Sequence, residues 1–79
     1  MRGRAPSHDF VEPMILKILK ESRVSMSALA INYMVNEAAR RTINLNAIRN
    51  HLTLLVKNKK ILESLDKEND VTYYKLITI

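Results

Sequence analysis

The chain has 79 residues, which is enough for one small domain and too few for two separate hydrophobic cores, so a multidomain enzyme is excluded. With 47% hydrophobic residues, 27% charged residues, one Gly and two Pro, the composition is that of a globular protein rather than a disordered or collagen-like one. Thirteen Lys and Arg against eight Asp and Glu give a net charge of +5, which favours polyanionic partners and makes nucleic acid the leading hypothesis.

The chain has no cysteine, which excludes disulfides, thiol catalysis and cysteine-ligated zinc. Its two histidines, His8 and His51, are far apart in sequence, so we predict neither a metal site nor a cofactor, and no small-molecule ligand is evident. No apolar run approaches the roughly 20 residues that span a bilayer, and no apolar segment suited to secretion follows the basic N-terminal residues. We therefore expect an intracellular protein, cytoplasmic or nucleoid-associated, without membrane contact. A core this small stabilises a monomer by only about 3 to 5 kcal/mol, so a homodimer is expected.

Residues 1–9 are predicted to form a basic arm, because they include Arg2 and Arg4 and lack a periodic apolar pattern. An amphipathic first helix follows. Its apolar face consists of Val11, Met14, Ile15, Ile18 and Leu19. Pro13 fits the first position of this helix best, because its missing N–H costs no hydrogen bond there.

A second helix is predicted after the serine-rich segment 22–27, which should contain one short strand and provide Ser25 or Ser27 as the N-cap. The helix should run to about residue 41. Its apolar stripe consists of Ile31, Met34, Val35 and Ala38, and its polar stripe of Asn32, Asn36 and Arg40. Leu29 and Tyr33 lie outside the apolar stripe, so either the domain wraps around this helix or, as we prefer, a partner subunit covers them.

A third helix is predicted over about 45–58, with Asn44 as its N-cap. Its core face consists of Leu45, Ile48, Leu52, Leu55 and Val56, and its polar stripe of Asn46, Asn50, Thr53 and Lys57. Asn58 is a candidate left-handed C-cap. Residues 61–65 and 71–79 are rich in β-branched and aromatic side chains and predict two strands, joined by a turn at 66–70.

Three helices followed at once by a β-hairpin resemble a winged helix-turn-helix domain. The segment NAIRNHLTLLVKNKKILESLDKENDVTYYKL is similar to the recognition helix and wing of winged-helix transcription regulators of bacteria, archaea and archaeal viruses. The matching positions are Ala47, Ile48, Arg49, Asn50, His51, Leu52, Leu55, Ile61, Tyr74 and Leu76. The resemblance implies an α+β winged-helix domain over 10–79 that binds double-stranded DNA. Where the family usually has Gly before the wing, this chain has Asn58 and two lysines, and Asn tolerates a positive φ.

Positive charge is concentrated in residues 38–60, which contain six basic and no acidic residues, whereas residues 61–79 contain two basic and four acidic ones. A neutral solvated surface would mix the two signs. We therefore predict phosphate contacts for five of the six basic residues, namely Arg40, Arg41, Lys57, Lys59 and Lys60. The wing tip at 66–70 is net acidic, so it is expected to lie away from the phosphates.

A helix fits the major groove, where Arg pairs with guanine and Asn with adenine. The predicted base-reading residues are Asn46, Arg49, Asn50 and Thr53. The alternative is that these asparagines merely cap or decorate an exposed helix, above all Asn46, which lies near its start. Arg2 and Arg4 could enter a minor groove, the alternative being a disordered terminus. Tyr73 and Tyr74 alternate across a strand and are expected in the core or in an interface.

We predict no catalytic residue. His51 would need an oriented carboxylate and a nucleophile, and its neighbours on the helix are apolar, so it is interpreted as structural. No Gly-rich phosphate loop or paired-carboxylate motif is present. The leading hypothesis is a sequence-preferring, double-stranded DNA-binding transcription regulator. The alternatives are a winged-helix protein–protein interaction module in a larger complex and a nonspecific architectural nucleic-acid-binding protein.

Overall fold

The computed structural model describes residues 10–77, in which three helices pack against a three-stranded antiparallel sheet. The elements are α1 (Val11–Ser22), β1 (Met26–Ser27), α2 (Ala28–Ala39), α3 (Leu45–Lys57), β2 (Ile61–Asp66) and β3 (Val71–Leu76). The predicted α+β fold, with its hairpin and its short strand after the first helix, is confirmed. The predicted arm, 1–9 with Arg2 and Arg4, lies outside the described residues, as do residues 78 and 79.

The start of α1 differs from the prediction. Phe10 precedes the helix, and its carbonyl oxygen accepts a hydrogen bond from the backbone N–H of Met14 at 3.1 Å. Pro13 is therefore the third helical residue, and its predicted place at the first position is wrong. The N–H groups of the first three helical residues have no intrahelical partner, so proline costs no hydrogen bond at the third position either.

The second helix begins as predicted and ends slightly earlier. The hydroxyl of Ser27 accepts from the backbone N–H of Ala30 at 3.2 Å, which selects Ser27 over Ser25 as the N-cap. Arg40 takes a left-handed conformation with φ 57°, and this ends α2 at Ala39 rather than near residue 41.

Both predicted stripes of α2 are only partly right. Ile31 and Val35 are fully buried, but Met34 is 42% exposed and Ala38 is exposed, because the helix packs through a narrow line of side chains centred on Ile31 and Val35. Of the polar stripe only Arg40 is exposed. The two asparagines of that stripe are half-buried, because their side chains bond to the backbone of the following turn.

The predicted cap of the third helix is right, and its predicted core face is right for Ile48, Leu52 and Leu55, whereas Leu45 and Val56 are only half-buried. Asn44 is the N-cap, with its Oδ1 accepting from the backbone N–H of Asn46 at 2.7 Å. The buried face of α3 meets both other helices and the sheet. The core consists of Val11, Ile15, Ile18, Leu19, Ile31, Val35, Ile43, Ile48, Leu52, Leu55, Ile61 and Tyr74.

The turn after α3 corrects one prediction. Asn58 has φ −86°, so it is not left-handed; the left-handed residue is Lys59, with φ 60°. The N–H of Lys59 donates to the carbonyl of Val56 at 3.0 Å, and the N–H of Lys60 donates to the carbonyl of Leu55 at 2.9 Å. This pair of bonds is a Schellman motif, which needs the left-handed residue one position after the C-cap.

In the sheet, β3 lies between β1 and β2. Met26 pairs with Tyr74 on one side, and β2 pairs with β3 from Ile61 opposite Leu76 to Asp66 opposite Val71. The hairpin turn is therefore one residue shorter than predicted, and β3 ends at Leu76 rather than at residue 79. Tyr74 lies in the core, whereas Tyr73 is half-buried on the other face. Within 10–77, no helix has the length and apolar character needed to cross a bilayer.

Candidate nucleic-acid interface

The polar stripe of α3 is solvent-exposed along its whole length. All four predicted base-reading residues and Lys57 are exposed, and their spacing places them within about 100° of the helix circumference. The four residues are Asn46, Arg49, Asn50 and Thr53. Because the opposite face of α3 is buried, the helix presents one polar side to solvent.

The hydrogen bonds of α3 and its N-cap bear on two of these residues, Thr53 and Asn46. The Thr53 hydroxyl donates to the carbonyl oxygen of Arg49 at 2.9 Å, so its oxygen lone pairs and its methyl group are the parts left for an external partner. Asn46 is not the cap residue, since Asn44 fills that place. Of the alternative roles for Asn46, that of the helix cap is therefore wrong, and that of an exposed surface residue without a base contact stays open.

Arg49 and Thr53 line an open groove of about 550 Å³ between α3, the start of α2 and the start of β3. The remaining lining residues are Ser27, Ala28, Leu29, Asp70, Val71, Thr72 and Tyr74. The groove thus combines one guanidinium, one carboxylate, several hydroxyl groups and an apolar wall.

The charge of Arg49 affects the pKa of Tyr74, a residue of the sheet. Burial raises the pKa of the Tyr74 hydroxyl, and the Glu63 carboxylate raises it further, while Arg49 lowers it. Arg49 and Glu63 thus both act electrostatically on Tyr74, and Asp70 from the hairpin lines the same groove as Arg49. The sequence showed only that residues 38–60 contain no carboxylate, and it gave no signal that the hairpin brings Asp70 into the groove that Arg49 lines.

The five predicted phosphate-contacting residues are all exposed, but they form two groups. Arg40 and Arg41 lie just after α2, near the start of α3, whereas one lysine is the last residue of α3 and the other two follow it. A helix of 13 residues is about 20 Å long, so the groups flank α3 at opposite ends. The lysines are Lys57, Lys59 and Lys60.

One member of the first group has a partner that the sequence did not reveal. The guanidinium carbon of Arg41 lies 5.5 Å from the centroid of the Phe10 ring, within the range of a cation–π contact. Arg41 is thereby held against the residue that precedes α1. Arg41 as a whole is nevertheless exposed.

His51 lies on α3 away from the polar stripe and contacts α1. Its Nδ1 is 2.9 Å from Oε2 of Glu12. The helix neighbours of His51 predicted no carboxylate beside it, and α1 supplies one from 39 positions away. Within 10–77 no group of three His, Cys, Asp or Glu is placed to hold a metal ion.

No protein-family model and no curated protein sequence matches the chain. Solved structures do match it. The chain is similar to RosR of H. salinarum, at 25 to 26% identity and with TM-scores of 0.74. The matching RosR structures are one grown from NaBr and the RosR-S1 and RosR-S4 complexes. The match covers 91 to 96% of this chain and 59 to 64% of RosR. A transcriptional regulator from Clostridium thermocellum, Cth-833, is 22% identical with a TM-score of 0.76, over 92% of this chain and 75% of its own.

The chain has the winged helix-turn-helix fold. Its solved neighbours are transcription regulators rather than enzymes. This chain spans about three fifths of the RosR chain in its complexes. In the winged-helix domain, α2 and α3 are the helix-turn-helix pair, and β2 and β3 form the wing.

Proposed function

We propose that the chain is a sequence-preferring, double-stranded DNA-binding protein that acts in transcription regulation and inserts α3 into the major groove. One observation carries this proposal: the exposed side of α3 presents Arg49 and Asn50 from a part of the chain that has no carboxylate of its own. Arg and Asn are the side chains that pair bidentately with guanine and adenine edges. Asn46 and Thr53 extend the same side by one turn in each direction.

The two groups of basic residues at the ends of α3 support phosphate contacts on either side of the base-reading residues. The major groove is about 12 Å wide and is bordered by two phosphate backbones. A helix of about 20 Å with cations at both ends can place base-reading side chains in the groove and its flanking cations near both backbones. Arg40 and Arg41 would contact one backbone, and Lys57, Lys59 and Lys60 the other.

The wing and the arm have different proposed roles. The tip of the wing, from Asp66 at the end of β2 through the turn, carries the carboxylates of Asp66, Glu68 and Asp70 against one Lys67, so we place it away from the phosphates. Arg2 and Arg4 are proposed to reach an adjacent minor groove. A DNA-binding regulator of this kind works inside the cell, in the cytoplasm or on the nucleoid, and performs no catalysis of its own.

A homodimer is the proposed assembly. The outer side of α2 exposes three large apolar side chains, with Leu29 at 67%, Tyr33 at 65% and Met34 at 42% exposure. A second copy would remove this apolar surface from water. Since Leu29 also lines the groove that contains Arg49, a partner covering Leu29 would compete with DNA there, whereas Tyr33 and Met34 lie further along the helix.

The same apolar side of α2 favours the second candidate function, a protein–protein interaction module in a larger complex. In that case the exposed apolar residues would bind another protein, and the positive charge around α3 would be incidental. A nonspecific architectural protein is the third candidate, and it would bind DNA with strong salt dependence but without sequence preference.

A selection from random-sequence DNA at near-physiological salt separates these functions. We expect an enriched sequence, and an enriched palindrome with half-sites about 10 base pairs apart would also support the homodimer. Salt-dependent binding without enrichment would favour the architectural protein, and no binding at all would favour the interaction module. Sedimentation at micromolar concentration should give twice 9.1 kDa for the homodimer, whereas a monomer at every concentration would reject it.

A further inference from the structure

Two asparagines one turn apart on α2 hold both backbone polar groups of Ile43. The Asn32 side-chain Nδ2 donates to the carbonyl oxygen of Ile43 at 2.8 Å, and the Oδ1 of Asn36 accepts from the backbone N–H of Ile43 at 2.8 Å. The Ile43 side chain is itself buried in the core at 2% exposure. We call these three residues the clasp.

The clasp fixes the point at which α3 begins. Ile43 directly precedes Asn44, which is the N-cap of α3 and whose carbonyl accepts the first intrahelical bond from the N–H of Ile48 at 3.1 Å. With the backbone of Ile43 bonded to α2 and its side chain in the core, the chain enters α3 from a position set by α2. The clasp is thus a direct mechanical link between the two helices of the helix-turn-helix pair.

The residue type supports a specific purpose for these side chains. Asparagine is a weak helix former in a helix interior, because its amide competes for backbone hydrogen bonds. Two of them lie in the interior of the 12-residue α2, and both bond to a backbone beyond the end of the helix. Their side-chain bonds to Ile43 are the gain that offsets this poor propensity.

We propose that Asn32 and Asn36 are positioning residues that set the direction of α3 and thereby the sequence preference of the protein. This inference rests on the proposed DNA-binding function. Bidentate contacts with base edges tolerate displacements of only about 0.5 Å and rotations of 10–20°. Contacts with phosphates carry no sequence information and depend far less on the helix direction. A loosened clasp should therefore reduce sequence preference more than general DNA affinity.

The clasp offers a matched pair of test substitutions. In Asn36→Asp, a carboxylate oxygen replaces the Oδ1 and still accepts from the N–H of Ile43. In Asn32→Asp, the donor is lost and a carboxylate oxygen faces the carbonyl oxygen of Ile43. Both changes keep the side-chain shape and lower the net charge by one, so general electrostatic effects on DNA binding should be nearly the same.

The measurement is the ratio of affinity for the selected DNA sequence to affinity for a scrambled sequence, with the salt dependence of each. We expect Asn36→Asp to keep the wild-type affinity ratio within about twofold. We expect Asn32→Asp to lower this ratio about fivefold to tenfold, which is the effect of losing one hydrogen bond to a base edge. The salt slopes of the two variants should agree, because the phosphate contacts remain.

A purely structural role predicts a different result. Destabilisation lowers the folded fraction, which reduces affinity for both DNAs by the same factor and leaves their ratio unchanged. An unchanged ratio in Asn32→Asp, or an equal fall in both variants, would overturn the inference. If circular dichroism shows Asn32→Asp unfolded, Asn32→Ala replaces it under the same criteria, since it removes the donor without adding repulsion. A wild-type protein without sequence preference would reject the proposed function itself, before any variant is compared.

Discussion

The imidazole of His51 on α3 lies beside the carboxylate of Glu12 on α1, with 2.9 Å between Nδ1 and Oε2. Their side chains are 22% and 35% exposed, so water screens the pair and limits its contribution. We expect a double-mutant cycle with Glu12→Gln and His51→Ala to give a coupling free energy of about 0.2 to 1 kcal/mol.

Urea denaturation of the four proteins measures this coupling. The cycle isolates the pair from the other contacts that each residue makes. Because the pair lies away from the polar stripe of α3, the Glu12→Gln variant should bind DNA like the wild type. A coupling above roughly 3 kcal/mol would show instead that the pair behaves as a buried ion pair.

The base-reading assignment predicts a loss confined to preferred DNA. Arg49→Ala and Asn50→Ala should each cost roughly 1 to 3 kcal/mol on the selected sequence and leave nonspecific binding nearly intact, because each removes hydrogen bonds to a base edge. Competition binding with selected and scrambled duplexes measures both values.

Lys57→Ala is the matched contrast on the same helix. It should weaken binding to all sequences about equally and lower the salt slope by about one unit, since it removes one phosphate contact. If Arg49→Ala and Asn50→Ala leave DNA binding unchanged but abolish binding to a protein partner, the interaction-module function is correct.

Because the wing tip is net acidic, we predict that the single lysine in its turn, Lys67, contributes little to DNA affinity. Lys67→Ala should change the DNA affinity by less than roughly 1 kcal/mol, because the neighbouring carboxylates keep the wing from the phosphates. Fluorescence anisotropy with a labelled duplex measures this change in affinity. A larger loss would place the wing on the DNA backbone.

The Schellman motif after α3 contains a lysine where glycine is the usual residue. Lys59 has φ 60°, so Lys59→Gly should raise the free energy of unfolding by about 0.5 to 1 kcal/mol in the absence of DNA. Lys60→Gly removes the same charge at a neighbouring position that is not left-handed, and it should lower stability. Thermal unfolding of both variants measures the two changes in stability. Equal changes would show that charge, not backbone conformation, controls the stability of this turn.

The wing turn predicts a pH effect with a defined sign. The side-chain and backbone hydrogen bonds that Asn69 donates to Asp66, with a further one from the Glu68 N–H, lower the pKa of Asp66 below its usual value. These bonds favour the ionised form, so the order of the turn is fully present above the usual carboxyl pKa and is lost as pH falls through the lowered value.

Carbon-13 NMR titration of the Asp66 carboxyl measures this pKa directly. In Asn69→Ala the side-chain bond, which is the largest cause of the shift, is absent, so the pKa should move back toward its usual value. An unchanged pKa would mean that the backbone N–H groups alone hold the carboxylate.

The parts of this structure that sequence patterns predicted are those set within one element. The helical spacing of Ile48, Leu52 and Leu55 fixed which side of α3 is buried, and the cap at Asn44 is a local preference of residue type. The exposed polar stripe of α3 followed from the same periodicity.

The parts that sequence patterns missed depend on contacts across the fold. Asn32 and Asn36 looked like a solvated stripe because their partner, Ile43, lies beyond the end of their helix. The carboxylate that lines the groove with Arg49, Asp70, comes from the hairpin, and the carboxylate near His51 comes from α1. Two asparagines in a helix interior were the available signal for the clasp, since their low propensity calls for a compensating bond.

The concentration of positive charge around α3 has a kinetic consequence. Residues 38–60 contain six basic and no acidic residues, and such a basic region attracts a polyanion before contact. Encounters would then be more frequent than random collisions allow, by a factor that falls as ionic strength rises. The basic residues at the two ends of α3 would thus speed association as well as hold the complex.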